Sequence, residues 1–193
     1  QAHNLCFSTM IFRDQYTLIK RLEKKGLVVV ERIEASGQIH WFVQENTYKG
    51  ILPRLLHALL TARRNVKKIM KQEKDNFKKQ LLNSKQLALK ISCNSVYGFT
   101  GSKTGKMGCW PIAACTTTIG RQMIDDTKEA VETKYDAQVV YGDTDSVMVR
   151  FKEADATEEG MKLSWKLAEE AAEYVTSVTF GPYPAVELEA EKV

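Results

Sequence analysis

Two apolar stripes at helical spacing, separated by a short polar stretch, constrain the fold of this chain more than any other feature. The polar stretch is "KQEKDNFKKQ", residues 71–80. Before it, apolar residues recur at Leu55, Leu59, Ala62, Val66 and Ile69, and after it at Leu82, Leu89, Cys93 and Val96. This spacing is typical of the apolar face of a long amphipathic helix. Two such helices with a short connection predict an antiparallel helical hairpin.

Charge is distributed unevenly along the chain, although the net charge is only +4. Residues 61–90 hold ten basic residues against two acidic ones, whereas residues 153–193 hold ten acidic residues against three basic ones. A basic segment of this strength suggests a polyanionic partner. The alternative is a solvated helix face. Charge alone leaves both interpretations open.

Length and composition bound the class of protein. A chain of 193 residues, 44% of them hydrophobic, can form one sizeable domain, or one domain with an appendage. The longest stretch without a charged residue, 107–120, falls short of the roughly 20 apolar residues of a membrane span, so a soluble protein is expected. No signal peptide is evident, and both ends look cut from a larger polypeptide. The cysteines show no zinc-ligand spacing and are expected to be reduced thiols in an intracellular protein: Cys6, Cys93, Cys109 and Cys115.

The remaining pattern mixes strand pairs with helices. Helices are predicted at residues 14–26, 111–135 and 157–177, and a glycine-rich loop at 97–108. Residues 27–43 predict a β-hairpin that turns at "EASG", residues 139–149 predict a second hairpin, and 185–192 predict a last strand. Because no βαβ unit repeats, the predicted fold class is α+β.

The second helix of the predicted helical hairpin has a polar line beside its apolar stripe. At about 100° per residue, the members of this line fall within about 40° of one line along the helix; they are Lys79, Asn83, Gln86, Lys90, Asn94 and Tyr97. On the first helix, Arg63 and Lys67 are one turn apart, as are Lys90 and Asn94 on the second. In an antiparallel hairpin these four side chains could converge on a triphosphate. The alternative is that they are solubilising charges.

Two carboxylates flank a threonine in "VVYGDTDSVMV", residues 139–149. Asp143 and Asp145 could be turn formers. A calcium loop is a poor interpretation, since Val147 stands at the fifth position of the pattern. A third interpretation is a Mg²⁺ site, because residues at i and i+2 of an extended backbone point to the same side.

Two short segments together resemble one enzyme family. "YGDTDS", residues 141–146, resembles motif C of the family B DNA polymerases, and "KISCNSVYG", residues 90–98, resembles their motif B. "NSVYGFTG" and "GRQMI" are most similar to delta-type members, cellular or from large DNA viruses. The resemblance extends over essentially the whole chain, and residues 27–44 fit it least well.

The resemblance implies an architecture and an activity. Residues 1–50 would be a palm segment that follows motif A and carries a β-hairpin insertion, 51–100 the helical-hairpin fingers, and 101–193 the palm with the motif C hairpin. The implied fold has an antiparallel palm sheet with packed helices. The implied activity is template-directed transfer of a deoxynucleotide from a dNTP to a primer 3′-hydroxyl by two-metal catalysis, with release of pyrophosphate.

The resemblance also implies roles for particular residues. Asp143 and Asp145 would coordinate two Mg²⁺ ions, and Glu191 would lie near them, although an aromatic residue usually stands where this chain has Ala190. Tyr141 would support this hairpin and approach the primer terminus. Tyr97 and Gly98 would lie against the nascent base pair. The incoming triphosphate would be bound by Arg63, Lys67, Lys90 and Asn94.

Further implications concern partners and location. Primer–template DNA and dNTP are the implied ligands, and a sliding clamp and accessory subunits would bind through regions outside this sequence, with no membrane partner. The implied location is the nucleus for a cellular enzyme, and the host nucleus or a cytoplasmic viral factory for a viral one. The other metal-binding aspartate of the family lies in motif A, which is not in this sequence, so these 193 residues alone are expected to be inactive.

Two other functions compete with this interpretation. A catalytically inactive nucleic-acid-binding module would need the basic helices but not the two aspartates. A metal-dependent phosphohydrolase would be expected to carry further acidic or histidine ligands near the aspartates. The histidines lie far from them in sequence: His3, His40 and His57.

Overall fold

The computed structural model describes residues 2–143, 145–183 and 185–191, and only the backbone of Arg13. The chain forms two compact units, which consist chiefly of residues 3–116 and of residues 117–193. The predicted α+β class is confirmed, with the strands in two small antiparallel sheets. Among the described residues, no helix combines the length and the apolar character that a membrane crossing requires.

The first unit begins with a three-stranded sheet and a short helix. Its strands are β1 (Met10–Ile11), β2 (Val30–Ala35) and β3 (Gln38–Val43). They are ordered β1-β3-β2 in the sheet, and all pairings are antiparallel. Ser36 and Gly37, with φ of 53° and 73°, form the two-residue turn of the predicted hairpin, as the twist of a tight hairpin requires. Phe42 of β3 is fully buried. The short helix, α1 (Tyr16–Lys24), lies between β1 and β2 in the sequence.

Helices α2 (Ile51–Gln72) and α3 (Asn76–Gly98) pack antiparallel and confirm the predicted helical hairpin. Asp75 is the N-cap residue at which α3 begins. Its carboxylate accepts hydrogen bonds from the backbone N–H groups of Phe77 at 2.8 Å and Lys78 at 3.2 Å. These bonds satisfy two of the unpaired donors at the start of the helix. A short 3₁₀ turn, Phe99–Gly101, follows α3.

The predicted apolar stripe of α2 is confirmed at Val66, which is buried, and at Leu59, which is half-buried, but is wrong at its exposed members Leu55, Ala62 and Ile69. Leu55 and Ile69 are 47% and 54% exposed, while Leu52, Leu56 and Val66 are buried. At about 100° per residue, the buried line is rotated by about 60° from the predicted one. The buried line passes through Arg63, and this charged residue interrupts the apolar spacing along that line. On α3 the predicted stripe is confirmed as half-buried: Leu82, Leu89, Cys93 and Val96.

The second unit contains most of α4 (Trp110–Lys134), the hairpin of β4 (Ala137–Asp143) and β5 (Ser146–Phe151), and α5 (Glu158–Tyr174). These match the predicted helices and the predicted second hairpin. A bulge between Val139 and Tyr141 shifts the β4–β5 register. A π-helical turn, Val175–Thr179, follows α5. The buried cluster of this unit consists of Val131, Phe151, Ala171, Val175 and Phe180.

The predicted last strand at 185–192 is wrong for the residues that the structure describes. Residues 186–191 form neither a helix nor a strand pairing, and Lys192 lies outside the described residues. The alternation that suggested a strand comes from packing, because Val186 and Leu188 contact the buried cluster. The backbone N–H of Leu188 donates to the side-chain oxygen of Thr176 at 2.9 Å instead of to a neighbouring strand.

Candidate functional site

Arg63 of α2 is held against α3 within the helical hairpin. Its Nε donates a hydrogen bond of 3.3 Å to Oε1 of Gln86, and Nε2 of Gln86 donates to Oδ1 of Asn83 at 3.0 Å. Arg63 is half-buried and Gln86 is only 9% exposed. Gln86, predicted on a polar face, therefore lies in the helix interface, in the gap that the apolar stripe leaves between Leu82 and Leu89. That gap is the sequence signal that identifies it.

The Arg63–Gln86 contact fixes where the other predicted anion ligands lie along the hairpin. Lys67 is one turn beyond Arg63, which is about 6 Å toward the helix connection. Lys90 is one turn beyond Gln86, which in an antiparallel pair is about 6 Å in the opposite direction. Asn94 is a further turn along. The two lysines therefore bracket the arginine along the hairpin axis.

Helix rotation also places these side chains on one flank. Lys67 is rotated by about 40° from Arg63, and Lys90 by about 40° from Gln86 in the same sense along its own helix. Because the helices run antiparallel, equal senses of rotation away from the interface lead to the same side of the hairpin. Lys67, Lys90 and Asn94 are exposed there. We call this side, with Arg63 at its edge, the basic flank.

The basic flank has little compensating negative charge. From Asn76 to Ile124 the sequence contains seven basic residues and no acidic one. In the part of the chain that the structure describes, the ion pairs involve none of Arg63, Lys67 and Lys90. An uncompensated cluster of cations on one surface favours a multiply charged anion as its ligand. The convergence of all four predicted side chains on one triphosphate stays a prediction.

Tyr97 and Gly98 close α3 in different environments. The Tyr97 hydroxyl donates a hydrogen bond of 2.7 Å to the backbone carbonyl of Leu5, and burial, followed by the Cys6 thiol, raises the Tyr97 pKa well above its usual range. A Cβ added at Gly98 would meet no atom within 4 Å. The tyrosine ring is therefore fixed in place, whereas the glycine is not required by packing among the described residues.

The β4–β5 hairpin presents its acidic residues to solvent. Asp143 is the last residue of β4 and pairs with Ser146, whereas Asp145 lies in the turn; Thr144 is outside the described residues. Strand alternation, the reason given for placing both carboxylates on one side, therefore applies to Asp143 alone. Both aspartates are exposed. Tyr141 is 57% exposed on β4, beside the bulge.

The donor set at this tip fits part of a magnesium site. No three His, Cys, Asp or Glu side chains among the described residues group so that they could hold a metal ion. Two carboxylates nevertheless suit Mg²⁺, which binds through one or two carboxylates together with water and substrate phosphate oxygens. Glu191 is exposed in the segment that follows α5 and its π-helical turn, and its predicted place near the metal stays a prediction.

Comparison with known proteins identifies relatives over the whole chain. The family description "DNA polymerase family B" matches residues 1–193. The DNA polymerase delta catalytic subunit of Candida albicans is 44% identical over 200 residues, and that of Schizosaccharomyces pombe 43% over 201 residues. The same subunit of Drosophila melanogaster is 42% identical over 203 residues. Each alignment covers 100% of this chain but only 17–18% of the relative, so the chain spans less than a fifth of the length of these curated relatives.

Proposed function

The chain belongs to DNA polymerase family B, and we propose on that premise that it is the nucleotide-binding and part of the metal-binding portion of a DNA-directed DNA polymerase of the delta catalytic type. The reaction is transfer of a deoxynucleotide from dNTP to a primer 3′-hydroxyl, directed by a template. The observation that carries the proposal is the basic flank, on which Lys67 and Lys90 bracket an arginine that is anchored to Gln86. We further propose that α2 and α3 are the fingers and that residues 1–50 and 101–193 belong to the palm.

The basic flank binds the triphosphate of the incoming nucleotide. Arg63 is held by Gln86 before any ligand arrives, so little of its side-chain freedom remains to be lost on binding. Lys67 and Lys90 contribute mobile ammonium groups on either side, and Asn94 adds an amide donor. Cations placed around a transferring phosphoryl group stabilise the charge that develops on its oxygens.

The C-terminal end of α3 checks the geometry of the new base pair. The hydrogen bond from Tyr97 to Leu5 holds the ring in one orientation. The open space at Gly98 lets a flat base approach the backbone closely. A mismatched pair of different width would collide with the fixed ring.

The hairpin tip supplies carboxylates to the metal site. Asp143 and Asp145 are the proposed ligands, with Glu191 nearby and Tyr141 beside the primer terminus. Mg²⁺ bound there would activate the primer hydroxyl and neutralise the triphosphate and the leaving pyrophosphate. The repulsion between the two carboxylates is relieved when a cation binds between them.

Partners and location follow from the same proposal. Primer–template DNA and dNTP are the proposed ligands, and a sliding clamp and accessory subunits are proposed partners of the whole protein. The named relatives come from eukaryotes, which supports a replication enzyme of the nucleus. A viral delta-type enzyme would act in the host nucleus or in a cytoplasmic viral factory.

The alternative function, a nucleic-acid-binding module without catalysis, makes a different prediction for one lysine. In the full-length protein that contains this chain, Lys90→Ala should raise the KM for dNTP about tenfold and leave the affinity for primer–template DNA unchanged. The control is Lys85→Ala, an exposed lysine on the opposite flank of α3, which should change neither quantity. A loss of DNA affinity with an unchanged KM for dNTP would favour the binding module.

A further inference from the structure

Both ends of the α2–α3 hairpin are tied to one short segment near the N-terminus. Asn4, Leu5, Cys6 and Ser8 all bond to residues at the base of this hairpin. Leu5 accepts the Tyr97 hydroxyl at the end of α3. The other three bond to the start of α2. None of these four residues belongs to the basic flank.

The backbone N–H groups at the start of α2 donate their hydrogen bonds to this segment and not to the side chain of an N-cap residue, because the N-cap residue is a glycine. The N–H of Gly50 donates to Oδ1 of Asn4 at 2.8 Å. The N–H of Ile51 donates to the Ser8 hydroxyl at 3.2 Å, and that of Leu52 to the Cys6 sulfur at 3.3 Å. The backbone donors that a helix start leaves without intrahelical partners are thus satisfied by a segment about 45 residues earlier in the same chain.

Asn4 is the most constrained member of the segment. It is 1% exposed and adopts φ of 51°, a left-handed conformation that asparagine tolerates better than most residues. Its Nδ2 donates to the carbonyls of Val43 and Tyr48, both at 2.7 Å. The backbone carbonyl of Asn4 accepts a hydrogen bond from the Thr9 hydroxyl at 2.6 Å, and its side-chain Oδ1 accepts from Gly50. Every polar atom of the Asn4 side chain is therefore used, and the side chain joins the end of β3 to the start of α2.

Contact at Gly50 is close as well as hydrogen-bonded. A Cβ added there would lie 2.7 Å from Cβ of Cys6 and 3.1 Å from Cγ2 of Thr9. These distances leave no room for a side chain between the segment and the hairpin. A change in the position of the segment is therefore transmitted directly to the start of α2.

We propose that Asn4, Leu5, Cys6 and Ser8 form a clasp that sets the tilt of the α2–α3 hairpin, and that Asn4 is a positioning residue for the incoming nucleotide. The inference rests on the proposed function, since it needs the basic flank to bind that nucleotide. It adds a role for a segment to which neither the sequence motifs nor the basic flank assigned one.

The distance along α2 from the clasp to Arg63 amplifies a small change in helix tilt. Arg63 lies 13 residues beyond Gly50 in α2, which is about 20 Å at about 1.5 Å per residue. A tilt of about 3° at the clasp therefore moves Arg63 by about 1 Å, and a misplacement of about 1 Å can cost about a hundredfold in rate. Small losses at the clasp are amplified at the basic flank.

Two variants of the full-length protein test the clasp. Asn4→Ala removes the bonds to Val43, Tyr48 and Gly50, whereas Gly50→Ala leaves every donor and acceptor of those bonds in place but wedges a methyl group into the close contact. Each should raise the KM for dNTP about tenfold or more, with an unchanged affinity for primer–template DNA. The matched control is Gly120→Ala in α4, where an added Cβ meets nothing within 4 Å.

The outcome separates a positioning role from a merely structural one. Partial unfolding would lower the fraction of active molecules, and hence kcat, while the folded molecules kept their KM; that result in both variants overturns the inference. Gly50→Ala decides the matter if Asn4→Ala does not fold. Lys90→Ala is measured alongside: a raised KM there with a normal KM in the clasp variants refutes the clasp alone. A normal KM in all three refutes the proposed function as well.

Discussion

Arg63 Nε donates a 3.3 Å hydrogen bond to Gln86 Oε1 across the α2–α3 interface, so one arginine belongs both to the packing of the hairpin and to its basic flank. A half-buried arginine of this kind needs a polar partner, because an unpaired charged donor is costly to bury. Gln86 meets that need without neutralising the charge, as a carboxylate would. The positive charge therefore remains available to an anion.

Replacing Gln86 should affect both stability and nucleotide binding. Gln86→Leu exchanges a buried amide for an apolar side chain of similar size and leaves the half-buried Nε of Arg63 without its acceptor, so the free energy of unfolding should fall by about 1–3 kcal/mol. The KM for dNTP should rise several-fold, since Arg63 loses the bond that orients it. Steady-state primer extension by the full-length protein measures this. Gln80→Leu, at an exposed position of α3, is the control, and equal KM values for the two variants would show that Gln86 does not orient Arg63.

Gly98 should be needed for nucleotide incorporation and not for the stability of the fold. Because an added Cβ meets no atom within 4 Å, and alanine is favoured over glycine in helices by about 0.5–1 kcal/mol, Gly98→Ala should leave the apparent melting temperature unchanged or slightly raised. It should nevertheless lower the rate of correct nucleotide incorporation at least tenfold, since the methyl group occupies space proposed for the base pair.

The comparison for Gly98 is Gly120, a second helical glycine with open space around its Cβ position. Gly120→Ala should have the same effect on melting temperature and none on incorporation. Full incorporation activity in Gly98→Ala would remove the proposed contact with the base pair.

Stability should fall at alkaline pH, in part through Tyr97. Burial, and after it the Cys6 thiol, raises the pKa of Tyr97 in the folded state, above the unfolded value of about 10. The unfolded chain therefore loses this proton first, so the stabilising contribution is full below about pH 10 and is lost as the pH rises from there toward the folded-state pKa. Burial also raises the pKa of Tyr135, so Tyr97→Phe should reduce the alkaline loss without abolishing it.

Melting temperatures of the full-length protein between pH 8 and pH 11 measure this alkaline loss, and Tyr141→Phe, at a side chain that is 57% exposed, provides the comparison. Identical slopes for Tyr97→Phe and the unmodified protein would contradict the role assigned to burial of the hydroxyl.

Local patterns predicted the elements of this fold, and tertiary contacts decided what the patterns left open. Periodicity identified both helices of the hairpin, and turn residues identified both β-hairpins. Periodicity could not show which face of α2 is buried, because Leu55 and Leu56 are equally apolar and only packing selects between them. The sequence around Leu188 alternates between apolar and polar residues as a strand does, yet a strand also needs a neighbour to pair with, and the Leu188 N–H bonds to Thr176 instead. No local signal marks Asn4, whose side-chain partners lie 39 to 46 residues away.

The candidate site was predictable to a similar extent. Spacing placed Arg63, Lys67, Lys90 and Asn94 at one-turn intervals, and the antiparallel pairing then brought them to one flank. The polar line itself gave no sign that Gln86 is buried, because Lys79, Asn83, Lys90 and Asn94 on the same line are exposed; only the gap in the apolar stripe between Leu82 and Leu89 marks it. The placement of both aspartates by strand alternation failed at Asp145, since turn geometry follows no such rule. That these 193 residues alone are inactive stays a prediction.

The central claim is tested most directly by primer extension with Asp145→Asn in the full-length protein. Asp145 is exposed in the turn, so the substitution should leave the fold intact, and the loss of a metal-binding carboxylate should remove several kcal/mol of transition-state stabilisation, which is a fall in rate of about a thousandfold. Glu153→Gln, at an exposed carboxylate just beyond β5, should extend the primer at the rate of the unmodified protein. Extension by Asp145→Asn at that same rate would contradict the assignment of this hairpin tip to the metal site.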